Sequence, residues 1–353
     1  MPGSAAEQRV RAAFAEQAGW CRTLGSPLTA QLCDLMAERP WPDTAVADRL
    51  RAWSGDPRAS ADAVPLRLGG GLHALVRRHA VPELAACYPP HPLPAPDSMW
   101  PPLVEALGHA DLAQWLDGPP QTNEVGRSSA LIAGLLAFAS RFPLPISLME
   151  LGASAGLNLQ LDRFRFNLGE RHIGDASSLL QITPEWHGAP PPAASLEIAA
   201  RAGVDQDPLD PALDSDRLLA FVWADQVQRI AQLEAALTIA RAHPVAIDRD
   251  NAASWLETQL SAEPTTGVSR VVMHSIAFQY FSLETQARVE AAIEQAGAEA
   301  TERTPLGWLS FERDGPGRDV YLRLRTWPGG EGRLLARCHP HGASISWLDA
   351  PAH

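Results

Sequence analysis

The segment ISLMELGASAGLNL, residues 146–159, is the most informative part of the sequence for the fold of this chain. An apolar run of strand length, Ile146–Leu151, leads directly into a turn of small residues. From Gly156 onward the sequence predicts the start of a helix. A buried strand, a tight turn and a helix in this order are typical of the ligand-binding edge of an α/β sheet. We therefore predict that this segment builds a ligand pocket.

Strand-like and helical segments alternate after residue 142. The strand-like runs lie at 146–151, 196–200, 244–247 and 269–277, with helical patterns at 214–241, 252–260 and 283–295. This alternation predicts βαβ units, and hence a parallel sheet. Three further strand-like runs, at 308–313, 319–327 and 332–339, are separated by short turns and predict an antiparallel finish.

The first part of the chain shows helical spacing only, as in the run Val10, Ala13, Phe14 and Ala18. The predicted organisation is a helical N-terminal region at 1–140 and a Rossmann-like domain at 141–353. The last helix of the first region is predicted at 128–138, directly before the first strand. An insertion near 167–192 contains several prolines, and the pattern does not assign it a place in the fold.

Composition excludes several classes of function. The net charge is -12, so no basic excess is available for binding nucleic acid or an anionic membrane. All 29 basic residues are arginine, which excludes a P-loop lysine and a Schiff-base lysine. The N-terminus lacks a secretory apolar region, and the longest apolar run, 130–139, is too short to cross a bilayer. We expect a cytoplasmic protein with a small-molecule ligand; the sequence leaves its oligomeric state open.

The turn after the first predicted strand has three interpretations. In the first, it belongs to an S-adenosylmethionine (SAM) site, where Glu150 holds the amino group of the ligand and small residues let the backbone approach it. In the second, G-x-S-x-G is a nucleophile elbow with Ser154 as nucleophile. In the third, it is a plain strand–helix turn. A hydrolase needs several strands before its elbow, whereas about 145 residues of helix and loop precede this one, so the first interpretation is favoured.

Polar residues follow each of the later predicted strands, as ligand contacts at the carboxyl edge of a sheet would. Asp205 and Asp207 are predicted to bind ribose hydroxyls, although a solvated loop would look the same. Asp250 or Asn251 is predicted to accept a hydrogen bond from an adenine amino group, unless it only caps the next helix. His274 is predicted to face the reacting group, unless it is a hydrogen-bonded core residue.

Two further clusters of polar residues could bind a ligand or a metal. Asn123, Glu124 and Arg127 head the helix that leads into the first strand, and we predict that Glu124 and Arg127 lie in or beside the pocket of Gly152. There they would bind the acceptor or the carboxylate of the ligand, unless they pair with each other and only fix the helix. The pair His339 and His341 could share a metal, but no third ligand is evident, so we predict no metal site.

Six blocks together resemble an uncharacterised bacterial family, domain of unknown function 2332. They are NEVGRS (123–128), ELGASAGLNL (150–159), VWADQVQR (222–229), VMHSIAFQY (272–280), LRLRTWPGG (322–330) and HPHG (339–342). The C-terminal part of that family is similar to class I SAM-dependent methyltransferases, which implies an α/β fold with such a core. Two departures are Ser154, in place of the usual middle glycine of the turn, and the lack of an N-P-P-[YF] motif.

The predicted function is transfer of a methyl group from SAM to a small or medium polar acceptor, with Glu124, Arg127 and His274 on the acceptor side. The alternatives are a non-catalytic SAM or nucleotide binding module and, third, a hydrolase that uses Ser154. The residues predicted to contact the cofactor are Asn123, Glu150, Gly152, Ala153, Ser154, Gly156, Asn158, Asp205, Asp207, Asp250 and Asn251.

Overall fold

The computed structural model describes residues 4–314 and 319–348. Two compact units divide the chain: the first contains residues 1–122 and 214–231, and the second contains residues 123–213 and 232–353. The α-helices of the described residues are α1 Ala5–Thr23, α2 Pro27–Glu38, α3 Ala45–Arg51, α4 Val64–Arg77, α5 Pro82–Ala85, α6 Pro96–Leu107, α7 Ser128–Arg141, α8 Ser215–Ala220, α9 Val227–Ala242, α10 Ala252–Ser261 and α11 Leu283–Ala298.

The β-strands of the same residues are β1 Ile146–Leu151, β2 Arg165–Leu168, β3 Arg171–Ile173, β4 Gln181–Ile182, β5 Glu185–His187, β6 Ile198–Asp205, β7 Ile247–Arg249, β8 Ser269–Ser275, β9 Leu306–Arg313, β10 Val320–Trp327, β11 Glu331–Cys338 and β12 Ser344–Trp347. Short 3-10 helices span Ala110–Leu116, Val125–Arg127, Leu157–Arg163 and Phe278–Tyr280.

The described residues of the first unit form helices joined by loops, with no β-strand among them, which confirms the predicted N-terminal helical region. Apolar residues at helical spacing, such as Val10 and Phe14 of α1 and Leu68 and Leu72 of α4, form its core. Burial of these stripes, rather than helix propensity, supplies most of the stabilisation of such short helices.

The helix predicted at 214–241 is interrupted, because α8 ends at Ala220 and α9 begins at Val227. Asp225, in the segment between them, accepts hydrogen bonds from Ser26 Oγ at 2.5 Å and from the Leu28 N–H at 2.8 Å. The Asp225 carboxylate therefore satisfies an N–H group at the start of α2 that no residue of that helix can satisfy.

The second unit is built on a nine-stranded, mostly parallel sheet with the order β5-β12-β11-β10-β9-β8-β1-β6-β7. Strands β9, β8, β1, β6 and β7 run parallel to one another. The apolar pattern of Ile146–Leu151 produces this arrangement, because β1 has paired strands on both sides and almost all of its residues are buried.

The chain order of the parallel strands reverses at β1. After β1 the chain forms β6 and β7 on one side, and it then returns to form β8 on the other side. In open parallel sheets, such a reversal opens a crevice outside the carboxyl ends of the two central strands, and ligands bind there. The reversal places the turn after β1 and the end of β8 at this crevice.

The predicted antiparallel finish is confirmed, because β9, β10, β11 and β12 pair in antiparallel order. On its other side, β9 pairs with β8 in parallel. The hairpin pattern in the sequence shows that β9 is antiparallel to β10, but it does not show which strand lies on the other side of β9.

The insertion near 167–192 forms strands. Strands β2, β3 and β4 make a separate three-stranded sheet, and β5 pairs in parallel with β12 at the edge of the large sheet. These strands have two to four residues each, which is too short for an alternation of apolar and polar residues to be recognised.

Candidate functional site

The turn after β1 has an unusual backbone. Its φ angle is positive at Gly152 (+70°), Ser154 (+53°) and Gly156 (+69°). The N–H groups of Gly152 and Ala153 both donate to the Val204 carbonyl, at 2.9 and 3.0 Å. Left-handed backbone is accessible to glycine at little cost, whereas it is strained for a residue with a side chain such as Ser154. This conformation explains why the turn needs glycine at two of the three positions.

Gly152 does not face open space. A Cβ atom built on Gly152 would lie 2.6 Å from the Cβ of Ala277, in the segment that follows β8. Ala277 therefore explains why residue 152 must be small, and contact of the Gly152 backbone with a ligand stays a prediction. A larger side chain at 152 would disturb the fold as well as any ligand site.

Glu150 carries a carboxyl group buried at the carboxyl end of β1, with 1% of the residue exposed. Burial raises the pKa of Glu150 to about 8, because desolvation penalises the charged form. A hydrogen bond from the Asn158 side chain opposes this rise, the charge of Asp205 adds to it and the charge of Arg127 opposes it. Among the described residues, no group hydrogen-bonds to Glu150 Oε2.

Two more buried polar atoms of the same segment lack hydrogen-bond partners among the described residues, namely Ser154 Oγ and Asn158 Oδ1. Buried polar atoms without partners are uncommon in folded proteins, so these atoms are candidates for contact with a ligand. The same observation bears on the hydrolase interpretation, since a nucleophilic serine needs a base within hydrogen-bond reach of its hydroxyl. No such base contacts Ser154 Oγ in the described part of the chain.

The two aspartates after β6 have partners within the chain. Asp205 Oδ2 accepts from the Ser154 N–H at 2.8 Å, and Asp205 Oδ1 accepts from the Asp207 N–H at 2.9 Å. Asp207 pairs with Arg249 at 2.8 Å, where both side chains are more than half exposed. Asp205 thus fixes the turn after β1, and ribose binding by these residues stays a prediction.

The residues after β7 act as a helix cap. Asn251 Oδ1 accepts hydrogen bonds from the N–H groups of Ala253 and Ser254, at 2.9 and 3.4 Å, at the start of α10. Asp250 Oδ1 accepts from the Asn251 N–H at 2.7 Å. The capping alternative is therefore what the structure shows for Asn251, whereas adenine contacts from either residue stay a prediction.

Asn123, Glu124 and Arg127 lie beside the turn. Asn123 Oδ1 accepts from the Leu157 N–H at 2.9 Å, and Glu124 Oε1 accepts from the Gly126 N–H at 3.2 Å. The Arg127 guanidinium donates to the Ser275 carbonyl at the end of β8, at 2.9 Å. The structure therefore brings this block to the carboxyl ends of β1 and β8, although its binding role stays a prediction.

The HPHG turn packs on the same block. Arg127 Nε donates to the Pro340 carbonyl at 3.0 Å, and a Cβ atom built on Gly126 would lie 2.3 Å from the His341 carbonyl oxygen. Glycine at position 126 is needed for this close approach of two backbones. His339 Nδ1 accepts from the His341 N–H at 3.1 Å, so one ring nitrogen of the pair is used inside the turn.

His274 is a core residue with 1% of its surface exposed, and both of its ring nitrogens have partners. The Trp308 indole N–H donates to Nε2 at 3.0 Å, so the ring proton is on Nδ1, which donates to Glu312 Oε1 at 2.8 Å. This geometry gives no support to the predicted acceptor-side role, because neither nitrogen is available to a reacting group.

Sequence reasoning missed Glu312 and Trp308. Burial alone would raise the pKa of Glu312, but hydrogen bonds from His274 and from the N–H groups of Ala277 and Phe278 hold it below its usual value. His274 pairs with Ser310 in the β8–β9 register. Trp308 and Glu312 lie two residues on either side of Ser310 and share its face, so the parallel pairing of β9 would have identified both.

Residues 4–314 and 319–348 contain no group of three or more His, Cys, Asp or Glu side chains that could hold a metal ion. Every helix in those ranges is too short or too polar to cross a bilayer.

Comparison with known proteins shows the family. Residues 11–347 match the model of the family DUF2332, described as an uncharacterized protein conserved in bacteria, and the chain belongs to this family. Neither the curated proteins nor the solved structures yielded a match to the chain.

Proposed function

We propose that this protein binds SAM at the carboxyl ends of β1 and β8 and transfers its methyl group to a small or medium polar acceptor. The observation that carries the proposal is the buried acid Glu150, which lies where the strand order reverses and has a carboxyl oxygen without a partner among the described residues. Acids buried in this way are concentrated at functional sites, because their burial is costly for folding alone.

The residues at this edge fit the amino-acid end of SAM. Glu150 Oε2 and Asn158 Oδ1 are both buried acceptors without partners among the described residues, and an ammonium group offers up to three donors. The fit at the nucleoside end is poorer. Both oxygens of Asp205 accept backbone N–H groups, and Asn251 Oδ1 caps α10. Binding of the ribose and the adenine would therefore require these hydrogen bonds to be exchanged.

When bound, SAM supplies an electrophilic methyl group, and the chain has to hold the ligand and orient the acceptor. Glu150 would hold the ammonium group in its charged form, so the proton that burial favours at neutral pH would leave the site on binding. Glu124 and Arg127 stand at the same edge as acceptor-side candidates.

A non-catalytic SAM-binding module is the second candidate, and the geometry of His274 favours it. Both ring nitrogens of His274 are hydrogen-bonded, to Trp308 and to Glu312, so β8 offers no free histidine base. Bound ligand without turnover would distinguish this candidate from the enzyme.

Calorimetric titration with SAM and with its demethylated product tests the proposal. We expect wild-type binding in the micromolar range, about -8 kcal/mol, and at least tenfold weaker binding to Glu150→Gln. Glu185→Gln, an exposed acid on β5, is the matched control and should bind like the wild type. Absence of binding to the folded wild type would overturn the proposal, and so would equal affinity of the Glu150→Gln variant.

A further inference from the structure

Glu150 is closed off from solvent in this conformation. The residue is 1% exposed, and its Oε2 atom is buried. A ligand that binds this carboxyl group therefore reaches it only after part of the site has moved.

The segment that follows β8, residues 275–278, packs against the turn that follows Glu150, and we call it the β8 turn. A Cβ atom built on Gly152 would lie 2.6 Å from the Cβ of Ala277. Residues 276–278 are half-buried, and residues 279 and 280 are exposed. The β8 turn is therefore a surface segment in direct contact with the turn after β1.

The backbone of the β8 turn is strained at Ile276, where φ is +48°. Of the four non-glycine residues with positive φ among the described residues, only Ile276 is β-branched, and β-branched residues are rare outliers in this region. Such strain is concentrated at ligand clamps and switch regions of proteins. A movement that returns Ile276 to negative φ would release the strain.

Glu312 of β9 holds the β8 turn in this strained shape. Its Oε1 atom accepts from the N–H groups of Ala277 and Phe278, at 2.9 and 3.1 Å, as well as from His274 Nδ1. The Glu312 side chain is 12% exposed, and hydrogen bonds to a charged acceptor are roughly twice as strong as those to a neutral one. The carboxylate of Glu312 therefore fastens two consecutive backbone N–H groups to a paired strand of the sheet.

We propose that the β8 turn is a gate to Glu150 that Glu312 keeps closed, an inference that rests on the proposed function for its ligand. In the open state the N–H groups of Ala277 and Phe278 leave Glu312 Oε1, Ile276 relaxes to negative φ, and SAM reaches Glu150. The strain at Ile276 favours opening, and the hydrogen bonds to Glu312 keep the open state a minor population. His274 keeps its contact with Glu312 in both states, so the core between β8 and β9 stays in place.

Coupling of glycinamide to Glu150 by a water-soluble carbodiimide tests the gate without SAM, because only a carboxyl group that the reagents reach is modified. Peptide mass spectrometry measures the rate at Glu150. We expect this rate to be about threefold or more higher in Glu312→Gln than in the wild type, since the neutral amide oxygen is the weaker acceptor. Glu185→Gln is the matched control, because it removes the acid of an exposed pair with His187, and it should react at the wild-type rate.

Hydrogen exchange shows whether the opening is local. In Glu312→Gln the N–H groups of Ala277 and Phe278 should exchange faster, while those of β1 keep their wild-type protection. Equal coupling rates at Glu150 in the wild type and in Glu312→Gln overturn the inference. Loss of protection in β1 overturns it as well, because Glu150 would then be reached by unfolding of the sheet.

Two substitutions at Ile276 test the role of strain. Ile276→Gly and Ile276→Ala both remove the side chain beyond Cβ, but only glycine adopts a left-handed backbone at little cost. The closed state should therefore be more populated in Ile276→Gly, and its Ala277 and Phe278 N–H groups should exchange about fivefold more slowly than in Ile276→Ala. Equal exchange in the two variants would contradict the role assigned to the strain.

Stopped-flow measurement of SAM association connects the gate to the ligand. We expect SAM to associate about threefold faster with Glu312→Gln than with the wild type, a gain that mere loss of stability cannot produce. Faster coupling at Glu150 without any SAM binding would overturn the proposed function and leave the gate in place. SAM binding at equal rates to both proteins would overturn the gate and leave the proposed function in place.

Discussion

The carboxyl group of Glu150 is fully buried at the end of β1, and its pKa is raised to about 8 from an ordinary value of 4.5. In the unfolded chain the same group titrates near its ordinary value. The folded state therefore binds a proton between these pH values that the unfolded state releases. The contribution of this proton to stability is fully present below the unfolded pKa, and it is lost as the pH rises through the folded pKa.

We predict that replacing Glu150 with Gln removes this pH dependence. The free energy of unfolding of the wild type should fall, relative to the variant, by about 1.4 kcal/mol for each pH unit between roughly 5 and 8. Urea unfolding at four pH values in this interval measures the difference directly. A constant difference between the two proteins across the interval would show that Glu150 is charged in the fold.

Ser154 holds a left-handed backbone with φ of +53° and a buried hydroxyl that has no partner among the described residues. We predict that Ser154→Gly raises the free energy of unfolding by up to about 1 kcal/mol, because relief of strain outweighs the extra flexibility of glycine in the unfolded chain. SAM affinity should change by less than about 1 kcal/mol.

The opposite substitution at a neighbouring left-handed position of the same turn, Gly152→Ser, is the control for this prediction. It places a side chain at φ of +70° and against Ala277, and it should lower the free energy of unfolding. Denaturant midpoints of the three proteins check both effects. A Ser154→Gly variant clearly less stable than the wild type would mean that the serine hydroxyl forms an interaction that stabilises the turn.

The segment before α7 connects three other segments of the second unit. Asn123 binds the 3-10 helix that follows β1, and Arg127 binds both the end of β8 and the turn between β11 and β12. A capping sequence would need only the contact of Glu124 with the Gly126 N–H. The other contacts explain why Asn, Glu and Arg occur together around a glycine.

We predict that Asn123→Ala lowers the free energy of unfolding by about 1–3 kcal/mol, because the Leu157 N–H loses its acceptor in a buried place. Asn167→Ala removes exposed contacts with Thr183 and His172 and should change the free energy of unfolding by less than about 0.5 kcal/mol. Urea unfolding of both variants makes the comparison. Equal effects of the two substitutions would contradict the role assigned to Asn123.

The features of the fold that depend on local sequence pattern could be predicted from the sequence. The strand Ile146–Leu151, the helical first region and the parallel strands around β1 follow from apolar spacing and chain order. The pairing of β9 with β8 and of β5 with β12 did not follow, because it joins segments distant in the sequence.

The candidate site, too, could be predicted from the sequence only in part. The sequence indicated that Glu150, Asn123 and Arg127 would lie at one edge, since the turn and the preceding helix are local to β1. It did not indicate that Ala277 packs against Gly152. Nor did it indicate that Glu312 and Trp308 hydrogen-bond to the two ring nitrogens of His274. Those contacts depend on how two strands align and on where the backbone turns after β8.

If Glu150 holds the ammonium group of SAM, binding of SAM should release a proton from its carboxyl group. At pH 7 a carboxyl group with a pKa of about 8 is mostly protonated, so binding of the cation should release close to one proton per site. Titration in two buffers with different ionisation enthalpies measures this number, and 5′-methylthioadenosine, which lacks the amino-acid end, is the matched ligand that should release none. We predict release of about one proton with SAM from the wild type and of none from Glu150→Gln. SAM binding to the wild type without proton release would show that Glu150 does not hold the ammonium group.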